Sequence, residues 1–105
     1  MKLMTKELRR GIPPLYNAEK QADPIVRAKF FTPDSNWTWY VLEFIGNDTF
    51  FGLVYGLETE LGYFSLSEIS TVAGPLGLKV ERDLYFEPCP LSQVRHAYTG
   101  LHNGA

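Results

Sequence analysis

The sequence is poor in the residues that staple, anchor or arm a protein: of its 105 residues one is cysteine and two are histidine. A lone cysteine, Cys89, cannot form an internal disulfide, so a packed core must hold the fold. A membrane helix needs about 20 consecutive, mainly apolar residues, and no stretch approaches that. The opening Met-Lys-Leu-Met-Thr-Lys-Glu-Leu-Arg-Arg turns charged before the apolar segment of a signal peptide could form, which makes a cytoplasmic location the expectation. Metal-ligand spacing, a phosphate loop and a catalytic constellation are all missing from the motifs, so no cofactor and no metal are expected.

What is present suits one small domain. Apolar residues make up 45% of the chain, enough at this length to bury about two thirds of the unfolded surface. We expect a single globular unit over residues 1–98 and a frayed tail over 99–105. The net charge of -2 is unevenly spread: seven bases face three acids through Phe31, and three bases face nine acids from Thr32 onward. The two halves attract each other, a pattern that serves packing more readily than nucleic-acid binding.

Between Ile25 and Tyr55 lie three consecutive runs rich in β-branched and aromatic residues, each bounded by Gly, Pro, Asn or Asp. They predict an antiparallel meander. In the first, Val26, Ala28 and Phe30 share an apolar face. In the second, Trp37, Trp39, Val41 and Ile45 share one face and Tyr40, Leu42 and Phe44 the other, as in a central strand covered on both sides. Gly46-Asn47-Asp48 turns the chain into a third strand, Thr49 to Tyr55. The fold class that follows is α+β, a small antiparallel sheet of three to five strands with short helices packed on one face.

Two helix starts are written locally. Thr5 is a good N-cap, with Glu7 in the first turn, Arg9 and Arg10 in the last, and Gly11, Pro13 and Pro14 stopping the helix. Ser65-Leu-Ser-Glu68 fits a capping box, Phe64 and Ile69 complete a hydrophobic staple, and the helix is expected from Leu66 to about Val72. Residues 16–24 read as a surface loop, and Gly56 to Gly62 as a linking segment carrying Glu58 and Glu60. Short strands are expected near Leu78 to Arg82 and Leu84 to Glu87, with Pro88 and Pro90 breaking the pairing and a last short helix from Pro90.

Few residues could carry chemistry. Cys89 between two prolines, with His96 seven residues on, lacks anything to lower its thiol pKa and reads as incidental. His96 and His102 have no ligand pair for zinc. Glu58 with Glu60, and Glu81 with Asp83, are the raw material of acid-base or metal chemistry, and solvated ion pairs with Arg82 or Lys79 explain them as well. Phe30, Phe31, Trp37, Trp39 and Tyr40 resemble in type the stacking platforms of single-strand binders. Only Arg27 and Lys29 are interleaved with them, so a core role is favoured.

Taken together, Lys-Phe-Phe-Thr-Pro (29–33), Asn-Trp-Thr-Trp-Tyr (36–40), Phe-Phe-Gly-Leu-Val (50–54), Glu-Leu-Gly-Tyr-Phe-Ser-Leu-Ser-Glu (60–68), Gly-Leu (77–78) and Glu-Arg-Asp-Leu-Tyr-Phe-Glu-Pro (81–88) resemble a bacterial family catalogued as domain of unknown function 2958. The likeness runs from Leu3 to Val94, departing at Asp34-Ser35 where Trp-Gly is expected. It implies a small cytoplasmic protein often encoded on plasmids, integrated elements and phages, with no established catalytic residues to carry over.

The expected function is therefore a non-enzymatic accessory role in a plasmid- or phage-type element, counter-defence among the options, exerted by binding another protein as a monomer or weak homodimer. The expected docking residues are Glu58, Glu60, Tyr63, Glu81, Arg82, Asp83 and Tyr85, acids and tyrosines around a possible arginine anchor. The alternative is a nucleic-acid module using Arg27, Lys29, Trp37 and Trp39. A small hydrolase or metal site at the four carboxylates Glu58, Glu60, Glu81 and Asp83 ranks third.

Overall fold

The computed structural model describes residues 2–14 and 22–95. The expectations for residues 16–21, for His96 and His102, and for the tail 99–105 lie outside the described residues. A five-stranded antiparallel sheet forms the body. Its meander runs through β2 (Ala28–Phe31), β3 (Thr38–Ile45), β4 (Thr49–Tyr55) and β5 (Thr59–Ser65), and β6 (Glu81–Arg82) returns beside β2, giving the order β5-β4-β3-β2-β6. A two-stranded ribbon joins β1 (Ile25–Val26) to β7 (Cys89–Pro90). The fold is α+β, with α1 (Lys6–Arg10) and α2 (Leu66–Ile69) on one face.

β3 is the central strand, buried from Thr38 to Phe44, and each face of the sheet has its own apolar cluster. On the face under α1 and α2, Phe50 is fully buried, its ring 4.6 Å from that of Phe44, 5.1 Å from Phe64 and 5.6 Å from Phe30. On the opposite face Tyr40, Leu42, Leu53 and Tyr55 lie beneath Leu91 and Val94 of the helical residues 91–95.

The expected faces of the second run need one correction. Val41 pairs with Gly52, but Glu43 pairs with Phe51, leaving Leu42 as an extra residue on β3. Such a bulge resets the alternation of side chains. Phe44 therefore joins Trp39 and Val41 on the helix-covered face, and Ile45, opposite Thr49, is left 41% exposed. A break at Arg27, whose N–H donates to the Val41 carbonyl at 2.7 Å, does the same to the first run: Val26 packs with the opposite cluster from Ala28 and Phe30.

At Gly52 the backbone itself sets the packing. A Cβ there would press into the Tyr40 carbonyl, so only glycine lets the two strands approach at the bulge.

Four further expectations are revised. The segment expected to link Gly56 to Gly62 contains most of an edge strand, β5, because Thr59, Leu61 and Tyr63 alternate with Glu60, Gly62 and Phe64 in register with β4. The helix from Leu66 is a single turn. Its end is tightened by Ser70 Oγ donating to the Leu66 carbonyl at 2.6 Å and Thr71 Oγ1 to that of Glu68 at 2.8 Å. Leu84 to Glu87 is no strand, since Asp83 accepts from the Tyr85 N–H at 2.9 Å and turns the chain. Phe86 is thereby carried to the opposite face, where its ring lies 6.1 Å from that of Tyr40. Pro88 and Pro90 do not abolish pairing, because Cys89 and Pro90 still lie opposite Val26 and Ile25.

Candidate functional site

The docking residues expected from sequence are divided by the sheet. Glu58, Glu60 and Tyr63 belong to the β5 edge, and Glu81, Arg82, Asp83 and Tyr85 to the β6 edge. Four strand spacings place the two groups roughly 19 Å apart. The four carboxylates are therefore not brought around one ion, and among the described residues no cluster of three or more His, Cys, Asp or Glu is placed to hold a metal.

The two groups also differ in what they do. On β5, Glu58, Glu60 and Tyr63 are exposed. On β6, Arg82 donates to the Leu3 carbonyl at 2.8 Å and pins the N-terminal segment against the sheet. Asp83 shapes the turn described above and lies 3.8 Å from the Lys29 ammonium. Tyr85 is 93% exposed.

The aromatic series is mostly core. Phe30, Trp39 and Tyr40 are buried, and Trp37, 38% exposed, stacks on Trp39 at 5.8 Å and lies over Gly56, where a Cβ would collide with its ring. Lys29 is drawn to Asp83 and to the Phe31 ring, 5.9 Å away. Arg27, half-buried, lines a smaller cleft of about 340 Å³ with Arg82, Asp83 and Glu7. Arg27, Lys29, Trp37 and Trp39 thus make no continuous basic and aromatic groove.

Cys89 is half-buried, and desolvation, followed by the charge of Asp23, pushes its thiol pKa up. That is the reverse of what a nucleophile requires. Asp23 is held below its ordinary value by the hydrogen bonds it accepts from the Ser92 hydroxyl at 2.6 Å and the Ser92 N–H at 2.9 Å. The pair ties the residues before β1 to the start of the helical residues 91–95.

A larger concavity lies elsewhere, between α1, α2 and the segment leading into β6, with a volume of about 860 Å³. Its apolar floor comes from Leu3, Met4, Leu66, Leu78 and Val80. Among the described residues four cations, Lys2, Lys6, Arg9 and Lys79, stand around it against one carboxylate, Glu81. Arg9 is held in place by its contacts to Asn47 Oδ1, 2.8 Å away, to the Gly46 carbonyl and to the Phe44 ring. Lys2, Lys6 and Lys79 are exposed and make no salt bridge among the described residues.

Sequence reading registered the basic first third of the chain but missed this cleft. Its walls come from residues 2–9 and 66–81, and the only early signal was the excess of bases over acids in the first third of the chain.

The family described as "Protein of unknown function (DUF2958)" matches residues 3–99. No curated protein and no solved structure matches the chain.

Proposed function

Since the chain belongs to the DUF2958 family, whose description assigns no activity, we propose from its own surface that it is a small non-enzymatic accessory protein acting by binding another protein. The cytoplasm is the proposed location and a plasmid- or phage-type element the proposed setting, both resting on the family resemblance. The observation that carries the binding reading is the cleft between α1, α2 and β6. It pairs exposed apolar surface, including Leu78 at 47% exposure, with a rim of exposed cations, the composition of an interface centre and its charged surround. The exposed Leu57, Leu61 and Tyr63 at the β5 edge give a second apolar area.

Affinity capture with the tagged protein from a host carrying it, followed by direct binding of the retrieved protein, tests this reading. Wild type should retain a partner that the doubly substituted Lys6→Glu/Lys79→Glu protein loses. Retention of oligonucleotides in place of any protein would point to the nucleic-acid alternative instead.

A further inference from the structure

The cleft's chemistry narrows the class of partner. Its floor is aliphatic: among the described residues Leu, Met and Val side chains line it, and no Phe, Tyr or Trp does. Binders of single-stranded nucleic acid gain much of their affinity from stacking bases on aromatic rings, and this floor offers none. Aliphatic floors accept aliphatic side chains, as when an amphipathic segment lays its apolar face into a groove. The rim then decides the charge of that segment. Among the described residues Lys2, Lys6 and Lys79 are free of salt bridges, Arg9 is fixed beside them, and Glu81 is the single opposing charge in the lining. In a chain of net charge -2, such a local cationic excess is complementary to an acidic partner and repels a basic one.

We propose that this cleft binds an acidic amphipathic segment of a partner protein, with aliphatic side chains seated on Leu3, Leu66 and Val80 and carboxylates meeting Lys2, Lys6 and Lys79. The inference rests on the protein-binding reading and specifies the partner for that same site. Leu78, exposed at the lip, is the residue an incoming apolar side chain would cover. Arg82 serves the site indirectly: by holding the Leu3 carbonyl it keeps the N-terminal wall in position.

The test is a fluorescence-anisotropy titration of the full chain with five probes. They are a designed peptide with Leu at helical spacing and Glu between, the same peptide with Leu replaced by Ala, the same peptide with Glu replaced by Lys, a single-stranded oligonucleotide of similar length, and vesicles containing anionic lipid. The acidic leucine peptide should bind most tightly, and less tightly as salt rises. Affinity should drop roughly tenfold or more for the alanine peptide, for the Lys6→Glu/Lys79→Glu protein and for Leu78→Asp, each step being about 1.4 kcal/mol. If charge reversal disturbs folding, as read by circular dichroism, the neutral pair Lys6→Gln/Lys79→Gln carries the same comparison.

Tighter binding of the oligonucleotide, the vesicles or the lysine peptide would overturn the proposal. So would peptide binding indifferent to the cleft substitutions. Failure of the acidic peptide, alongside a captured partner that still depends on Lys6 and Lys79, would sink the acidic-segment inference and leave the protein-binding reading standing. If neither the peptide nor any captured protein binds, both fall.

Discussion

The two edges of the sheet carry similar sequence, acids with a tyrosine close by, yet the structure uses them differently. At the β5 edge Glu60 and Tyr63 project from a seven-residue strand whose outer side has no partner strand among the described residues. Charged side chains on an exposed edge discourage further strand pairing, and that role accounts for Glu58 and Glu60. At the β6 edge the same kinds of residue are spent inside the molecule, Arg82 on the Leu3 carbonyl and Asp83 on Lys29 and the Tyr85 N–H. The difference lies in the neighbours. The N-terminal segment packs against β6 and builds the cationic cleft beside it.

Substitutions at the two edges should therefore diverge, and the widest divergence is between Arg82→Ala and Glu60→Ala. Hydrogen bonds to charged donors contribute about 1.5–3 kcal/mol, whereas exposed surface changes stay within about 0.5 kcal/mol. Thermal unfolding should show Arg82→Ala several degrees below wild type and Glu60→Ala unchanged. Equal shifts would erase the distinction between the edges.

A smaller effect belongs to the connection that carries the chain away from β5. Ser65 Oγ accepts from the Glu68 N–H at 3.0 Å, as the capping box requires of the serine, and Asp48 accepts from the Ser67 N–H at 2.8 Å and the Ser67 hydroxyl at 2.9 Å. Losing a cap of this kind costs about 1 kcal/mol. Denaturant midpoints should fall by similar amounts for Ser65→Ala and Asp48→Ala. A silent Ser65→Ala beside a damaging Asp48→Ala would mean that the β3–β4 turn, and not the β5 end, starts α2.

The smallest expected effect is a pH dependence remote from both edges. Hydrogen bonding to Ser92 lowers the pKa of Asp23 in the folded protein below its ordinary 3.8. The stabilisation is fully present above that value and is lost as pH falls through the lower folded one. Asp23→Asn should flatten this part of the acid limb of the stability curve. An NMR titration placing the Asp23 carboxyl at or above 3.8 would remove the basis for it.

Much of the fold is legible where its cause is local. Thr5 caps α1 by accepting from the Leu8 N–H at 3.1 Å, Ser65 caps α2 three residues from its donor, and β4 runs over the expected Thr49 to Tyr55. Gly11 ends α1 as expected, though in right-handed geometry at φ -84°, its N–H bonded to the Leu8 carbonyl at 3.1 Å. The candidate site was far less legible. Asp48 and Asp23 read as ordinary turn and loop acids, and only their distant serine partners give them a capping role. Asp34, at the departure from the family pattern, likewise finds its use 42 residues away, accepting from the Leu76 N–H at 2.6 Å.

By itself the sequence determined the meander of β2, β3 and β4, the helix starts and the α+β class, because side-chain alternation and capping bonds act within a few residues. Tertiary structure decided the rest. The bulge at Leu42 chose the face of Phe44, the return of β6 beside β2 sent the acids to opposite edges, and Arg82 drew Leu3 alongside a segment almost eighty residues later. The cationic cleft exists only through that last step, since its lysines come from both ends of the described chain and no local rule sets the distance between them.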